Sequence, residues 1–431
     1  MTTSRLYKKT LLAVAVSSLT FASQQAAAAG FQLNSQSATG LGRAFAGDAV
    51  IADNASVMSR NAAAMTLFDS HQFSGGVNYI KTSIDVKDVN YSPIPGVLPT
   101  QNLGSTNNSS GTPVPNIYYI HKVNDRLALG AGIYSNFGTN NEFDSNFGAG
   151  TGGAIDSDGD GIPDTPYPDA SVFGGTTKIA SVNYTLNAAY RLNDQWSIGG
   201  GIDIVSGSGE LKRDFYANQV NAVDIDVSGT GIGFNLGTVY ELDENNRFGF
   251  AYHYSPEIEA GGTLKLGGVD TGEKLKLPLP SMAEFSGYHK ISDTKFAVHY
   301  SLQWIGWSVF DKVETTGGTT IKDYEWKDGY HVAIGGTYYL NDAWTLRAGY
   351  MHDTAAQDKL TSISVPDSNR NWFSAGVGYN FNKHHVVDFG FTYLMGEDVN
   401  VQETQVPGIT QLTATTKANA ILAGIQYSYS F

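Results

Sequence analysis

No cysteine occurs anywhere in the 431 residues, so disulfide staples and thiolate metal sites are excluded and stability must come from extensive regular structure. Long apolar runs are also missing. The only sustained one, LLAVAVSSLTFA near the N-terminus, is shorter than the roughly 20 residues a membrane helix needs. Basic residues are in the minority: 27 Lys and Arg against 41 Asp and Glu give a net charge of −14, which excludes the basic stripe that nucleic-acid binding requires. There is no G-x-x-x-x-G-K-[ST] loop, so nothing points to ATP use. Glycine and aromatic residues are plentiful, with 49 Gly and 12% Phe, Trp and Tyr. Transmembrane β-barrels have this composition, because lipid-facing residues alternate with lumen-facing ones and keep average hydropathy low.

The alternation is visible. In ILAGIQYSYSF, Ile421, Ala423, Ile425, Tyr427, Tyr429 and Phe431 share one face of an extended strand, opposite Leu422, Gly424, Gln426, Ser428 and Ser430. SVNYTLNAAYRL and GYHVAIGGTYYL repeat the pattern. Between such runs sit six short punctuators: KVNDRLAL, RLNDQWSI, ELDENNRF, KISDTKFA, YLNDAWTL and NFNKHHVV. Each falls from one run through a few Asn, Asp or Lys residues into the next, as a tight hairpin turn requires. Six periplasmic turns separate seven long hairpins, which predicts a fourteen-stranded antiparallel outer-membrane β-barrel over residues 70–431. Long stretches such as NLGSTNNSSGTPVPN read as external loops. Phe431, aromatic and terminal, reads as the mark for the barrel-insertion machinery.

The first residues carry an export signal. Arg5, Lys8 and Lys9, the short apolar core and an A-x-A site at Ala26–Ala28 predict a cleaved signal peptide over residues 1–28. Residues 29–69 do not alternate. They are rich in small side chains and helix-prone pieces, with Asp53 and Ser59 as capping candidates, and they predict a small hatch with short helices inside the barrel.

The stretches GFQLNSQSATGLGRAFAGDAVIADNASVMSRNAA, NAAYRLNDQWSIGGG, YELDENNRF, SGYHKISD with VHYSLQW, and WKDGYHVAIGGTYYLND resemble the FadL family of outer-membrane transporters. The resemblance spans almost the whole chain. It implies a plugged, monomeric barrel free of required cofactors, which takes up long-chain fatty acids or other hydrophobic compounds passively and releases them sideways into outer-membrane lipid below the lipopolysaccharide. It also implies that Arg213 and Lys322, aligned from AYRLN and WKDGYH, hold a ligand carboxylate; two solvated bases are the alternative. The family's N-P-A hatch turn reads Asn61-Ala62-Ala63 here, so one fixed φ is missing. The family's kinked third strand falls at Ser135, Asn136, Phe137 and Gly138, with an ordinary strand-end glycine as the alternative. Whether the ligand is a fatty acid or a neutral hydrocarbon stays open.

One loop goes beyond the resemblance. AIDSDGDGIPDTPYPDA sets Asp156, Asp158, Asp160 and Asp164 at positions one, three, five and nine with Gly161 at six, the spacing of a calcium loop. Tyr167 at position twelve replaces the bidentate Glu, so weak calcium binding is the expectation and a solvated acidic loop the alternative. His384 and His385 lie in a turn without accompanying ligands and read as solvated. No nucleophile motif supports an outer-membrane enzyme, and a nonspecific porin would have no use for a small-residue plug.

Overall fold

The computed structural model describes residues 30–216, 219–405 and 410–431; the expected signal peptide lies outside them. Among these residues fourteen antiparallel strands close into a barrel: β1 (Gln72–Ser92), β2 (Gln101–Lys122), β3 in two pieces (Leu127–Tyr134 and Gly138–Glu142), β4 (Thr176–Arg191), β5 (Trp196–Tyr216), β6 (Val220–Glu241), β7 (Asn246–Tyr254, prolonged by Glu257–Leu266), β8 (Met282–Lys290), β9 (Phe296–Ile305), β10 (Gly329–Tyr339), β11 (Trp344–Asp353), β12 (Arg370–Asn380), β13 (His385–Gly396, prolonged by Val399–Gln405) and β14 (Thr410–Ser430). The circle closes where β1 pairs with β14, from Gln72 opposite Ser430 to Ser92 opposite Gln411. Closure leaves no sheet edge for lipid to meet, apart from one break described below.

The six punctuators are the six short turns of one rim, and their composition has a mechanical cause. Asn124, Asn193, Asp243, Asn341 and Asn382 each use a side-chain oxygen to accept from the backbone N–H two and three residues on. That side chain replaces a backbone turn and starts the returning strand. In the sixth turn Thr294 accepts from Phe296 N instead. The alternation is borne out as well: Ile421 and Ile425 are each 45% exposed on the outer face, while Leu422 and Gln426 are buried.

The residues before β1 fill the lumen. Helix α1 (Ala38–Leu41) is capped by Ser37, and two 3₁₀ turns, Ala55–Ser59 and Ala62–Leu67, are capped by Asn54 and Asn61. The caps are therefore not Asp53 and Ser59. Asp53 is engaged by arginines, and Ser59 ends its turn with its hydroxyl donating to Ser56 O. Met58, Ala62, Ala63, Ala64 and Met65 pack on Tyr118, Tyr134, Ala189 and Val239 of the wall. Inward-facing glycines let hatch and wall backbones touch. A Cβ on Gly349 would lie 2.1 Å from Arg43 O, and one on Gly199 would lie 2.4 Å from Ala63 N. Small side chains in the hatch and glycines in the strands thus solve the same packing problem from two sides.

Candidate functional site

β3 stops at Tyr134 and resumes at Gly138, and this interruption organises the lumen. Below it, Leu127–Tyr134 is laddered to both β2 and β4. Above it, Gly138–Glu142 is laddered to β4, and no ladder joins it to β2 among the described residues. Side chains cross the gap instead: Asn108 Nδ2 donates to Asn141 Oδ1 at 2.7 Å, and Ser110 Oγ to Asn140 O at 3.4 Å. A bilayer wall normally satisfies its backbone groups strand to strand, so a seam of this kind is a weak place in it.

The start of the hatch lies against the break. Gly138 N donates to Phe31 O at 2.8 Å, Leu33 N donates to Asn136 O at 2.6 Å, and Gln32 faces Phe137 as an isolated antiparallel bridge. Gln36 Nε2 donates to Ser135 O and to Asn136 Oδ1. The Phe31 ring sits in a buried aromatic nest, 4.5 Å from Trp307, 5.1 Å from Phe310 and 6.3 Å from Phe137 between ring centres. Ile225, Ile258 and Leu277 extend the nest with aliphatic surface. Behind the unladdered seam lies a cleft of about 460 Å³, open space included, lined by Gly30, Ile84, Thr139, Pro366, Arg370 and Leu394 among others.

Asn61 ties the hatch turn to the wall. Its Nδ2 donates to Ala49 O at 2.8 Å and to Thr238 O on β6 at 3.0 Å, while Oδ1 accepts from Ala63 N. Ala62 and Ala63 are fully buried beside it.

Of the two basic residues, Lys322 pairs with a carboxylate and Arg213 does not. Lys322 lies on the hairpin Lys312–Thr315/Thr320–Asp323 above the barrel and pairs with Glu403, which also accepts from Ser362 Oγ at 3.0 Å and Ile363 N at 3.2 Å. Arg213, buried near the top of β5, donates to Thr176 O, Lys212 O and Thr177 Oγ1, and lies within electrostatic reach of Tyr324 and Glu403. Glu403 is a member of this cluster that sequence reading did not single out. Its inward place on the prolongation of β13 was the available signal.

Sequence reading also missed the charge chain that clamps the hatch. Arg43 pairs with Asp48 at 2.8 Å and Asp53 at 2.9 Å, and Arg347 of β11 joins Asp53 at 3.2 Å to Asp388 of β13 at 2.8 Å. Burial pushes the Asp53 carboxyl up, but the guanidiniums of Arg347 and Arg43 outweigh it and hold the group below its ordinary range.

In the exposed loop, carboxylate oxygens of Asp156, Asp158 and Asp160 lie within 4.8 Å of one another. Asp164 stands apart, accepting from the Ser157 hydroxyl at 2.8 Å. Asp156 accepts from Gly161 N and Gly159 N, and chiefly the Gly161 bond keeps its carboxyl below the usual range. His384 is exposed and His385 partly buried, and their Nδ1 atoms meet Ser430 O and Tyr427 Oη.

Residues 19–157 and 165–431 match the family described as "Outer membrane protein transport protein (OMPP1/FadL/TodX)". The long-chain fatty acid transport protein of Escherichia coli K12 is 34% identical, with all of both chains covered. Outer membrane protein P1 of Haemophilus influenzae is 32% identical over 99% of each. Among solved structures, a Pseudomonas aeruginosa FadL homologue superposes with a TM-score of 0.78 at 21% identity, covering 94% of this chain and 100% of that one. The Pseudomonas putida toluene transporter TodX gives 0.62 at 17% identity over 88% and 94%. At those identities the structures speak for the fold.

Proposed function

This chain belongs to the OMPP1/FadL/TodX family of outer membrane transport proteins, and on that premise we propose that it takes up long-chain fatty acids or similar hydrophobic compounds by passive binding and lateral release at the β3 break. Family members are transport proteins and channels of the bacterial outer membrane, not enzymes. The observation that carries the lateral route is the double role of Phe31. Its carbonyl occupies the Gly138 amide at the seam, and its ring fills the aromatic nest. An apolar ligand entering the nest gains roughly 25 cal/mol per Å² of surface it buries and competes for the place of that ring. Displacing Phe31 removes the backbone strap from the break, and the ligand then faces lipid through the seam. Arg213 and Lys322 are the proposed contacts for an acidic head group, and Phe431 the proposed address for the insertion machinery of a monomeric barrel.

The test is to straighten β3. Deleting Asn136 to Gly138 should abolish uptake of labelled oleate while the variant reaches the surface normally and keeps its barrel. Undiminished uptake in a variant shown to be laddered from β2 to β4 throughout would mean that transport runs down the lumen.

A further inference from the structure

We infer that Pro113 and Pro115 of β2 keep the seam beside the β3 break unzipped, because each withholds an N–H at a rung where the β2–β3 ladder would otherwise continue. That the seam serves as an exit rests on the transport reading above; that the prolines hold it apart does not. Of the chain's 13 prolines, these alone fall within the ranges of the fourteen barrel strands among the described residues.

The direction of the missing donors follows from the ladder. In an antiparallel sheet, successive residues of a strand turn their N–H and C=O groups to opposite neighbours. At the foot of β2, Val123 N donates to Leu127 O of β3 at 2.9 Å, while Lys122 N donates to His71 Nδ1, beside the start of β1, at 3.0 Å. The pairing with β1 runs without a shift from Ile120 opposite Gln72 to Thr106 opposite Val86, so odd-numbered residues of β2 face β3 over this stretch. Pro113 and Pro115 therefore leave the β1 ladder intact and turn their ring nitrogens to β3. That ladder ends with Ile117 opposite Ile133. The next two such rungs would set Pro115 against Ser135 and Pro113 against Phe137, and proline has no hydrogen to donate.

The carbonyls those donors would have met are engaged elsewhere. Ser135 O accepts from Gln36 Nε2 of the hatch at 3.1 Å, and Phe137 O turns to β4, where it accepts from Ser181 N at 2.9 Å. Pairing with β4 slips by one residue across the break: Tyr134 faces Asn183 below it, and Gly138 faces Ala180 above it. Edge prolines are a common means by which a sheet refuses a further strand. Here the refused strand is the neighbour in the same barrel, so the kink in β3 has its cause partly in the sequence of β2.

The test restores the donors. Both rings lie on the outer face, Pro113 exposed and Pro115 partly so, and Val there suits lipid and an extended backbone. Full-length Pro113→Val with Pro115→Val should be compared with wild type and with Ala131→Val, an outward change on β3 that restores no donor. Hydrogen exchange read by mass spectrometry should show the two new amides as protected as that of Tyr119, which faces Ala131 in the existing ladder. Two restored bonds shift the balance towards a zipped seam by about tenfold or more, and uptake of labelled oleate at matched surface levels should fall accordingly. Oleate binding by the purified variant should stay at the wild-type value, which separates a closed exit from a damaged barrel, and Ala131→Val should behave as wild type throughout. New amides that exchange as fast as those of the exposed loop at Gly159 would overturn the inference whatever uptake does. Protected amides with undiminished uptake would uphold the prolines as keepers of the gap and count against the lateral route alone, which is a different result.

Discussion

The amide of Gly138 donates to the carbonyl of Phe31 at 2.8 Å, so the first turn of the hatch supplies the partner that a neighbouring strand would otherwise give. Two residues further along each segment the Leu33 amide donates to the Asn136 carbonyl, and Gln32 faces Phe137 between the two bonds. The break is a strand whose missing neighbour is replaced by a short segment of the same chain.

That pairing can be locked. Antiparallel bridge partners lie about 4.5–5.5 Å apart at Cα, within the range a disulfide spans. With no native cysteine to compete, Gln32→Cys with Phe137→Cys should form a single cross-link under oxidation. Oleate uptake should fall to background when oxidised and return after reductant. Full uptake by the quantitatively cross-linked protein would show that the strap does not have to leave.

The hatch turn offers a stability test. Asn61, at φ −148° and ψ 106°, already has the extended backbone that a residue before proline prefers, and Ala62 occupies the first helical position, where proline is tolerated. Ala62→Pro should therefore raise stability by roughly 0.4–1 kcal/mol, chiefly by restricting the unfolded chain. Asn61→Ala should instead cost about 1–3 kcal/mol, since it leaves the carbonyls of Ala49 and Thr238 without their donor. Thermal unfolding followed by circular dichroism ranks the three proteins. A destabilised Ala62→Pro would mean that the position needs its N–H.

These cases mark what sequence could and could not reveal. Strand number was readable because a side-chain period of two and an Asx turn are local facts: Asn124 and Asn341 do the same work without reference to anything distant. The gap opposite Gly138 was placed by resemblance, yet its strap was not readable, because Phe31 and Gly138 meet only after the barrel has closed. Arg347 and Glu403 stood at inward positions in alternating strands, a signal of buried charge, but their partners lie on the hatch and on another hairpin, and no spacing rule names those.

The acidic loop can be tested by titration. Calorimetry should detect calcium binding to the full-length protein on the order of 10⁻⁴–10⁻³ M, absent from Asp158→Ala with Asp160→Ala. The pH sense follows from Asp156, whose carboxyl is held below its ordinary range by Gly161 N–H. The loop's arrangement persists above that range and is lost as pH falls through the lowered value. Binding should stay level from pH 8 to 6 and fail only at acid pH, below the ordinary carboxylate range. A midpoint near neutrality would implicate a different group, and no heat at several millimolar calcium would leave a solvated acidic loop.

The last prediction concerns what holds the hatch to the wall. Arg347 bridges Asp388 on the wall to Asp53 on the hatch, and Arg43 shares Asp53 from the hatch side. Removing Arg347 strands Asp388, whose side chain is 2% exposed, without its cation. Breaking such a buried pair typically costs about 3–5 kcal/mol. The barrel ladder does not depend on this side chain, so the loss should fall on the hatch. Arg347→Met should speed hydrogen exchange at amides from Ala44 to Ala64 and raise ion conductance in planar bilayers, with strand amides unchanged. Replacing both partners, Arg347→Met with Asp388→Leu, removes the stranded charge and should restore part of the protection; the remainder measures the bond to Asp53. Because these groups are shielded from bulk ions, raising salt from 0.1 to 1 M should not mimic the single variant. If Arg347→Met leaves both exchange and conductance at wild-type values, the hatch is held by packing such as Gly349 against Arg43 O, and the charge chain serves the wall alone.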